Sequence, residues 1–337
     1  VPATELTNAT RSHLQSPTAD TDHDRVGTSV TSQSPRPATW HILFAFVVVY
    51  VVWGSTYLAI RFAVETVPPF LICSARFLGS GLGLLLMARF TTKEKTTRIQ
   101  WLNAVWIGGL LFLGGNGLVF WAETKVPSGI AALIVATVPL WIVGLDTLIF
   151  GARKPKAIAW VGFVMGLIGV AILVDPFGVA GVAIDPLRGG AVVAACFCWA
   201  LGSLLGRTVP QPKSLLLTVA MQMLGGGVCL FLFSAIAGEW SQFDIATVSS
   251  KSLWSLAYLI GIGGMLTFSC YSWLMRVCES SVVSTYAYVN PVIAVFLGCW
   301  IGHEPFTSAT AFGAVLIVMA VILIVSMGRN KTELAAE

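Results

Sequence analysis

Apolar runs of about twenty residues recur along most of this chain, each long enough to cross a hydrocarbon core of roughly 30 Å as a helix. Lipid offers backbone N–H and C=O groups no partner, so such runs must form helices whose hydrogen bonds are internal. Only 11% of the 337 residues are charged and 56% are hydrophobic, against about 25% charged in an average soluble domain. The fold class is therefore an all-α integral membrane protein. A single anchored helix would leave most of these runs unexplained.

Spans are expected near 41–63, 69–89, 102–122, 127–150 and 157–174, then near 188–207, 214–237, 253–275, 280–301 and 306–326, ten in all. Residues 1–38 are rich in Ser, Thr, Asp, Pro and Gln and carry no apolar run, so they read as a disordered tail. The first apolar run has no small-residue cleavage site before the next loop, which makes it a span rather than a signal peptide. With the N-terminus placed in the cytoplasm, fifteen Lys and Arg fall in cytoplasmic segments. Four, Arg61, Lys125, Arg188 and Lys251, fall on the other side, and Arg76 lies within a span. That asymmetry places both termini in the cytoplasm.

The sequence also echoes itself. "WGSTYLAIR" at 53–61 has a partner, "WALGSLLGR" at 199–207, at an offset of 146 residues, and an offset of 152 relates Trp121 to Trp273, Ser128 to Ser280 and Pro139 to Pro291. Two related halves of five spans each follow, 39–178 and 187–328, with a short cytoplasmic tail at 329–337. An odd number of spans per half forces the second copy to enter from the opposite side, so the repeats are inverted. Inverted repeats are a common secondary-transporter architecture, with the substrate site near the midplane between the halves.

On a helix, Trp53, Tyr57 and Arg61 share one face, as do Trp199, Ser203 and Arg207 in the copy. Polar groups facing lipid are costly, so these stripes are expected to face the interior, although the arginines also suit snorkelling at helix ends. The ninth span is the most polar and carries Tyr286 and Asn290 one turn apart. In the third span Phe112, Asn116, Phe120 and Glu123 follow helical spacing. Asn116 and Asn290 are candidates to orient polar groups of a ligand; an interhelical hydrogen bond is the alternative for Asn116. Pro139 and Pro291 each remove a helical hydrogen bond and are candidate hinges.

Three charges stand out. Arg76, about seven residues into the second span, costs on the order of 2.5 to 3.5 kcal/mol at mid-membrane, so it needs a partner: an anionic ligand group, Glu65, Glu123 or backbone carbonyls. Asp146 and Glu123 are coupling candidates, each with a plainer reading as a solvated end residue, Glu123 beside Lys125. The seven cysteines lie in or at the ends of apolar runs without metal-ligand spacing and read as free thiols. The Gly clusters lack the context of a phosphate-binding loop, and "GHEP" at 302–305 lacks the second His of a zinc hydrolase. Neither a cofactor, a metal nor an enzyme is expected.

"WGSTYLAIRFAVETVPPFLICSARF", "GGNGLVFWAETKVPSGIAALIVATVPLW" and "STYAYVNPVIAVFLG" resemble the EamA family of the drug/metabolite transporter superfamily, over about residues 41–326. The resemblance implies a ten-helix inverted repeat and export of amino acids, other small metabolites or toxic compounds from the bacterial inner membrane. It maps the family's first-span motif onto Trp53, Gly54 and Ser55, its second-span Arg onto Arg76, and its proline-containing spans onto Pro139 and Pro291. The expected cavity is lined by spans 1, 3, 4, 6, 8 and 9. Trp53, Tyr57, Trp199, Tyr271 and Tyr286 supply aromatic faces there, and Ser203 a hydroxyl. Expected partners are the lipid bilayer and a small-molecule substrate, not nucleic acid. A homodimer stays open, since a dimer face and a lipid-facing surface share one composition. An importer of small solutes, or a membrane sensor or scaffold that moves no solute, are the alternatives.

Overall fold

The computed structural model describes residues 39–150, 157–174, 184–278, 280–283 and 285–333, and the regular structure among them is entirely helical. The tail expected at 1–38 and the last four residues of the chain lie outside them, as do Ser284 and the side chain of Tyr288. Among the described residues, seven helices are long and apolar enough to cross a membrane. They are α1 (Thr39–Ala63), α2 (Pro69–Thr91), α3 (Arg98–Glu123), α4 (Ser128–Leu148), α6 (Pro186–Leu205), α7 (Leu215–Ile236) and α8 (Ser250–Val277). Between and after them run α5 (Ala157–Val174), α9 (Tyr286–Trp300) and α10 (Ser308–Glu333), with shorter apolar stretches. The chain is thus a helical integral membrane protein.

Local chemistry sets the helix boundaries. Thr97 and Gln100 form a reciprocal capping box at the start of α3, satisfying N–H groups that have no partner within the helix. Asp185, Ser214 and Ser249 cap α6, α7 and α8 through their side chains. Beyond α7, Gly238 takes a left-handed φ of 74°, a conformation that glycine adopts at low cost and that ends the helix.

Two spans depart from the regular α-helix that their spacing predicts. Gly109–Gly117 in α3 and Leu259–Leu266 in α8 are π-helical. The wider turn leaves side chains bonding five residues back: Asn116 Nδ2 donates to the Leu111 carbonyl at 3.3 Å, and the Thr267 hydroxyl to the Ile262 carbonyl at 2.7 Å. Segments of this kind are rare and concentrate at functional sites. The fourth span is also broken, at Ala136–Thr137, so Pro139 sits in the first turn of a new helix where its missing N–H costs nothing. Pro291 is different. It lies inside α9, and the break in that span falls upstream, after the short helix Ser280–Val283.

The most extensive helix pairings are α2 with α7, α5 with α10, α3 with α7 and α1 with α9. One core, built on Phe70, Phe77, Ile107, Phe112, Phe120, Met221 and Met223, fills the space between α2, α3 and α7. A second, with Ile130, Ile134, Leu173, Val192 and Ile317, joins α4, α5, α6 and α10. Outward-facing side chains such as Leu86, Phe90, Leu232, Val164 and Phe312 are apolar and exposed, as lipid-facing surfaces require.

Helices α3 and α7 meet backbone to backbone. A Cβ on Gly225 would lie 2.6 Å from the Cα of Val105, and one on Gly108 would lie 2.7 Å from the nitrogen of Gly226. Small residues permit such an approach, and dispersion and packing then hold the helices together without help from the hydrophobic effect. Gly108→Val or Gly225→Val is expected to destabilise the detergent-solubilised protein by about 3 kcal/mol, read as lost monodispersity and a lowered thermal midpoint. Gly190→Ala, at a position with nothing within 4 Å, should leave both unchanged.

Candidate functional site

The ends of α3 and α4 form one wall of the site and are held by charges from elsewhere in the chain. The last carbonyls of α3 have no partner within the helix. Arg61 donates to those of Glu123 and Thr124 at 3.0 and 3.3 Å. Arg188 donates to the Trp121 carbonyl and, at 2.7 Å, to the Thr124 hydroxyl, with its guanidinium 3.5 Å from the centre of the Trp121 ring. Positive charge is favourable at this end of a helix. At the start of α4 the sign reverses: the Glu304 carboxylate accepts the N–H groups of Ser128 and Gly129 at 2.7 and 3.0 Å. His303, with a left-handed φ of 52°, forms the turn that precedes Glu304.

Two more carboxylates act the same way, reciprocally. Glu94, after α2, accepts the N–H groups of Lys213 and Ser214 at the start of α7, at 2.8 and 3.0 Å. Glu239, after α7, accepts those of Phe70 and Leu71 at the start of α2, at 3.1 and 2.8 Å. The pair α2 and α7 is thereby clasped at both ends. Sequence reasoning missed all three glutamates, because their partners lie 119 to 176 residues away. The available signal was a carboxylate standing just outside a span.

Enclosed by these ends is a pair of buried ionisable side chains, Arg76 and Glu123. Arg76 is 5% exposed and Glu123 fully buried. Among the described residues, neither Nε nor Nη1 of Arg76 has a hydrogen-bond partner, and neither does either oxygen of Glu123. The Arg76 guanidinium lies 4.9 Å from the Phe77 ring centre and 5.6 Å from that of Phe120. Around Glu123 the charged groups are Glu304, Arg61 and Arg76. The expectation of a solvated Glu123 beside Lys125 is therefore corrected. Lys125 is exposed, but α6 and the turn before α10 cover the end of α3 and turn Glu123 inward.

Next to this pair stands Tyr57, whose electrostatic neighbours are Glu123, Cys196, Tyr286 and Arg76. Tyr286 belongs to an aromatic cluster centred on Trp53. The Trp53 ring lies 5.0 Å from Tyr286, 5.1 Å from Phe268 and 5.3 Å from Tyr271, edge-on or tilted. The structure thus brings together Trp53, Tyr57, Tyr271, Tyr286, Arg76 and Glu123. Trp199 sits apart on a second aromatic run, 6.1 Å from Phe112, itself 4.3 Å from Phe77. Ser203 and Asp146 are half-buried on α6 and near the end of α4. Asn116 is turned onto its own helix. Asn290, with its amide nitrogen facing the carbonyls of Tyr50 and Tyr286, donates to each at 3.1 Å. All seven cysteines are free.

A membrane bundle with broken and π-helical spans around buried, unpartnered charges has the features of a solute-handling protein. The chain belongs to the EamA-like transporter family, whose model matches residues 39–175 and again 190–326. The inner membrane transporter YedA of Escherichia coli (strain K12), a protein described as uncharacterized, is 36% identical over 83% of this chain and 89% of its own length. The transporter YoaV of Bacillus subtilis (strain 168), also described as uncharacterized, is 24% identical over 84% of this chain and 96% of its own. A protein of Salmonella typhimurium named as a probable amino-acid metabolite efflux pump is 24% identical over 82% and 91%. A crystal structure matches with a TM-score of 0.56 at 22% identity, covering 85% of this chain and 96% of the other. That likeness concerns the fold.

Outside the spans, two paired backbone N–H groups hold Glu94 below the usual carboxylate range, whereas burial pushes Glu239 up despite its own two bonds. The two clasps therefore respond oppositely to pH. The stabilisation from Glu94 is present above the ordinary glutamate value and is lost as pH falls through its lower folded value. That from Glu239 is greatest in acid and declines as pH rises from the ordinary value through the higher folded one. Measured as thermal midpoint against pH, the advantage of wild type over Glu94→Gln should grow with rising pH, and that over Glu239→Gln should shrink.

Proposed function

We propose that this protein is a secondary transporter that exports amino acids or other small metabolites and toxic compounds by alternating access. In this reading, residues 39–178 and 187–328 are inverted five-helix repeats, ten spans in all, set in a bacterial inner membrane with both termini in the cytoplasm. The pairing of α2 with α7 and of α5 with α10, helices equivalent under the repeat, supports the inverted arrangement. The relative named as an efflux pump supports the direction.

The observation that carries the proposal is the buried Arg76 and Glu123 pair with open hydrogen-bonding groups, set beside the aromatic cluster of Trp53, Tyr271 and Tyr286. A solute with a polar head and an apolar body matches that layout. Its head engages Arg76 and Glu123 past Tyr57, and its body packs on the aromatic rings. The breaks near Pro139 and upstream of Pro291 are the hinges. Trp199, Ser203, Asn116, Asn290 and Asp146 take supporting positions: Asn290 ties α9 to α1, and Asn116 steadies the π segment of α3.

Cells expressing the protein should accumulate a small set of solutes in the medium, read by mass spectrometry against an empty vector. Trp53→Ala and Arg76→Gln are each expected to lower that efflux by about tenfold, about 1.4 kcal/mol, at unchanged levels in the membrane. Wild-type flux from well-inserted variants would refute the site.

A further inference from the structure

A groove of about 460 Å³ opens between α1, α8 and the end of α9. Its walls include Leu58, Ala59, Phe62, Trp254 and Ile301, and its lining is almost wholly apolar. On its floor the Ser55 hydroxyl donates to the Val52 carbonyl and the Tyr258 hydroxyl bonds to Ser55 at 2.6 Å, so both hydroxyls are engaged. Trp254, 76% exposed, stands at the side where the groove meets lipid. The groove is open along its side rather than enclosed, as a chain entering from the lipid requires.

The rim is charged. Lys251 Nζ lies 2.7 Å from a Glu65 carboxylate oxygen and 4.3 Å from the centre of the Phe62 ring. The two side chains remain 50% and 38% exposed, so both charges stay open to a further partner. A cation and an anion side by side suit a head group that carries both signs. A net anionic head group would meet Glu65 as a repulsive neighbour.

We propose that this groove is a phospholipid site specific for phosphatidylethanolamine. One acyl chain fills the groove, the phosphate engages Lys251, and the primary ammonium donates to Glu65. Phosphatidylcholine lacks N–H donors for Glu65, and phosphatidylglycerol lacks the positive charge. Because α1 belongs to one family-matched segment and α8 and α9 to the other, the bound lipid packs against both. Tyr258 on its floor is an electrostatic neighbour of Arg76, so the groove adjoins the proposed solute site, but its test needs no transport substrate.

The full chain, purified and delipidated in detergent, is mixed in turn with phosphatidylethanolamine, phosphatidylcholine and phosphatidylglycerol of identical acyl chains, and retained lipid is counted by native mass spectrometry. One phosphatidylethanolamine per chain should be retained about tenfold more strongly than either competitor. Lys251→Gln and Glu65→Gln, at partly exposed positions that tolerate substitution, should each erase that preference. Ala59→Phe, which fills the groove, should remove the bound lipid altogether. Equal retention of all three lipids would overturn the proposal in favour of unspecific annular lipid. A preference that survives in both Lys251→Gln and Glu65→Gln would overturn it too.

Discussion

In lipid a backbone N–H or C=O without a partner costs several kcal/mol, and the ends of spanning helices are where such groups accumulate. Five charged side chains in this chain are placed to meet that demand. Arg61 and Arg188 take the last carbonyls of α3, Glu304 takes the first N–H groups of α4, and Glu94 and Glu239 exchange the same service between α2 and α7. Each cap comes from a distant part of the chain, so the closing of a helix end and the assembly of the bundle are one event. The signs follow the helix dipole throughout.

Against that pattern Arg76 and Glu123 are exceptions. Their immediate surroundings leave hydrogen-bonding atoms open, while neighbouring charges such as Arg61 and Glu304 are committed to backbone. Buried polar groups in folded proteins are overwhelmingly paired, and the open atoms of these two ionisable side chains are what the proposed solute site rests on. The aromatic cluster on the far side of Tyr57 supplies the apolar counterpart. The π-helical turns of α3 and α8 both pack against α2, the helix that carries Arg76.

The amphipathic economy of the sequence made the class and several site residues legible. Trp53 and Tyr286 were found because aromatic and hydroxyl groups on an otherwise aliphatic helix demand an interior, and the demand on Arg76 was visible from its depth alone. The π segments were not legible, because glycine-rich apolar stretches such as those around Gly114 and Gly263 fit either helix type. Equal spacing also overstated the symmetry: Trp53 and Trp199 occupy matching places in the repeated motif, yet one centres an aromatic cluster and the other sits at the edge of a different core. Glu123 was legible as a candidate but not as buried, since its cover comes from residues remote in sequence.

The close backbone contact at Gly108 and Gly225 bears on how such a molecule can move. Helices α3 and α7 come from different copies of the repeat, and so do α2 and α7, yet α3 and α7 meet with no side chain between their backbones at Gly108 and Gly225. A lubricated joint needs a layer that can shear, and at that contact between α3 and α7 the backbones leave no room for one. The seam between the two copies is therefore closed at α3 and α7, and a motion of the proposed kind would have to divide the bundle elsewhere. In the transport cycle proposed above, the joined α3 and α7 would travel as one piece while the broken α4 and α9 bend.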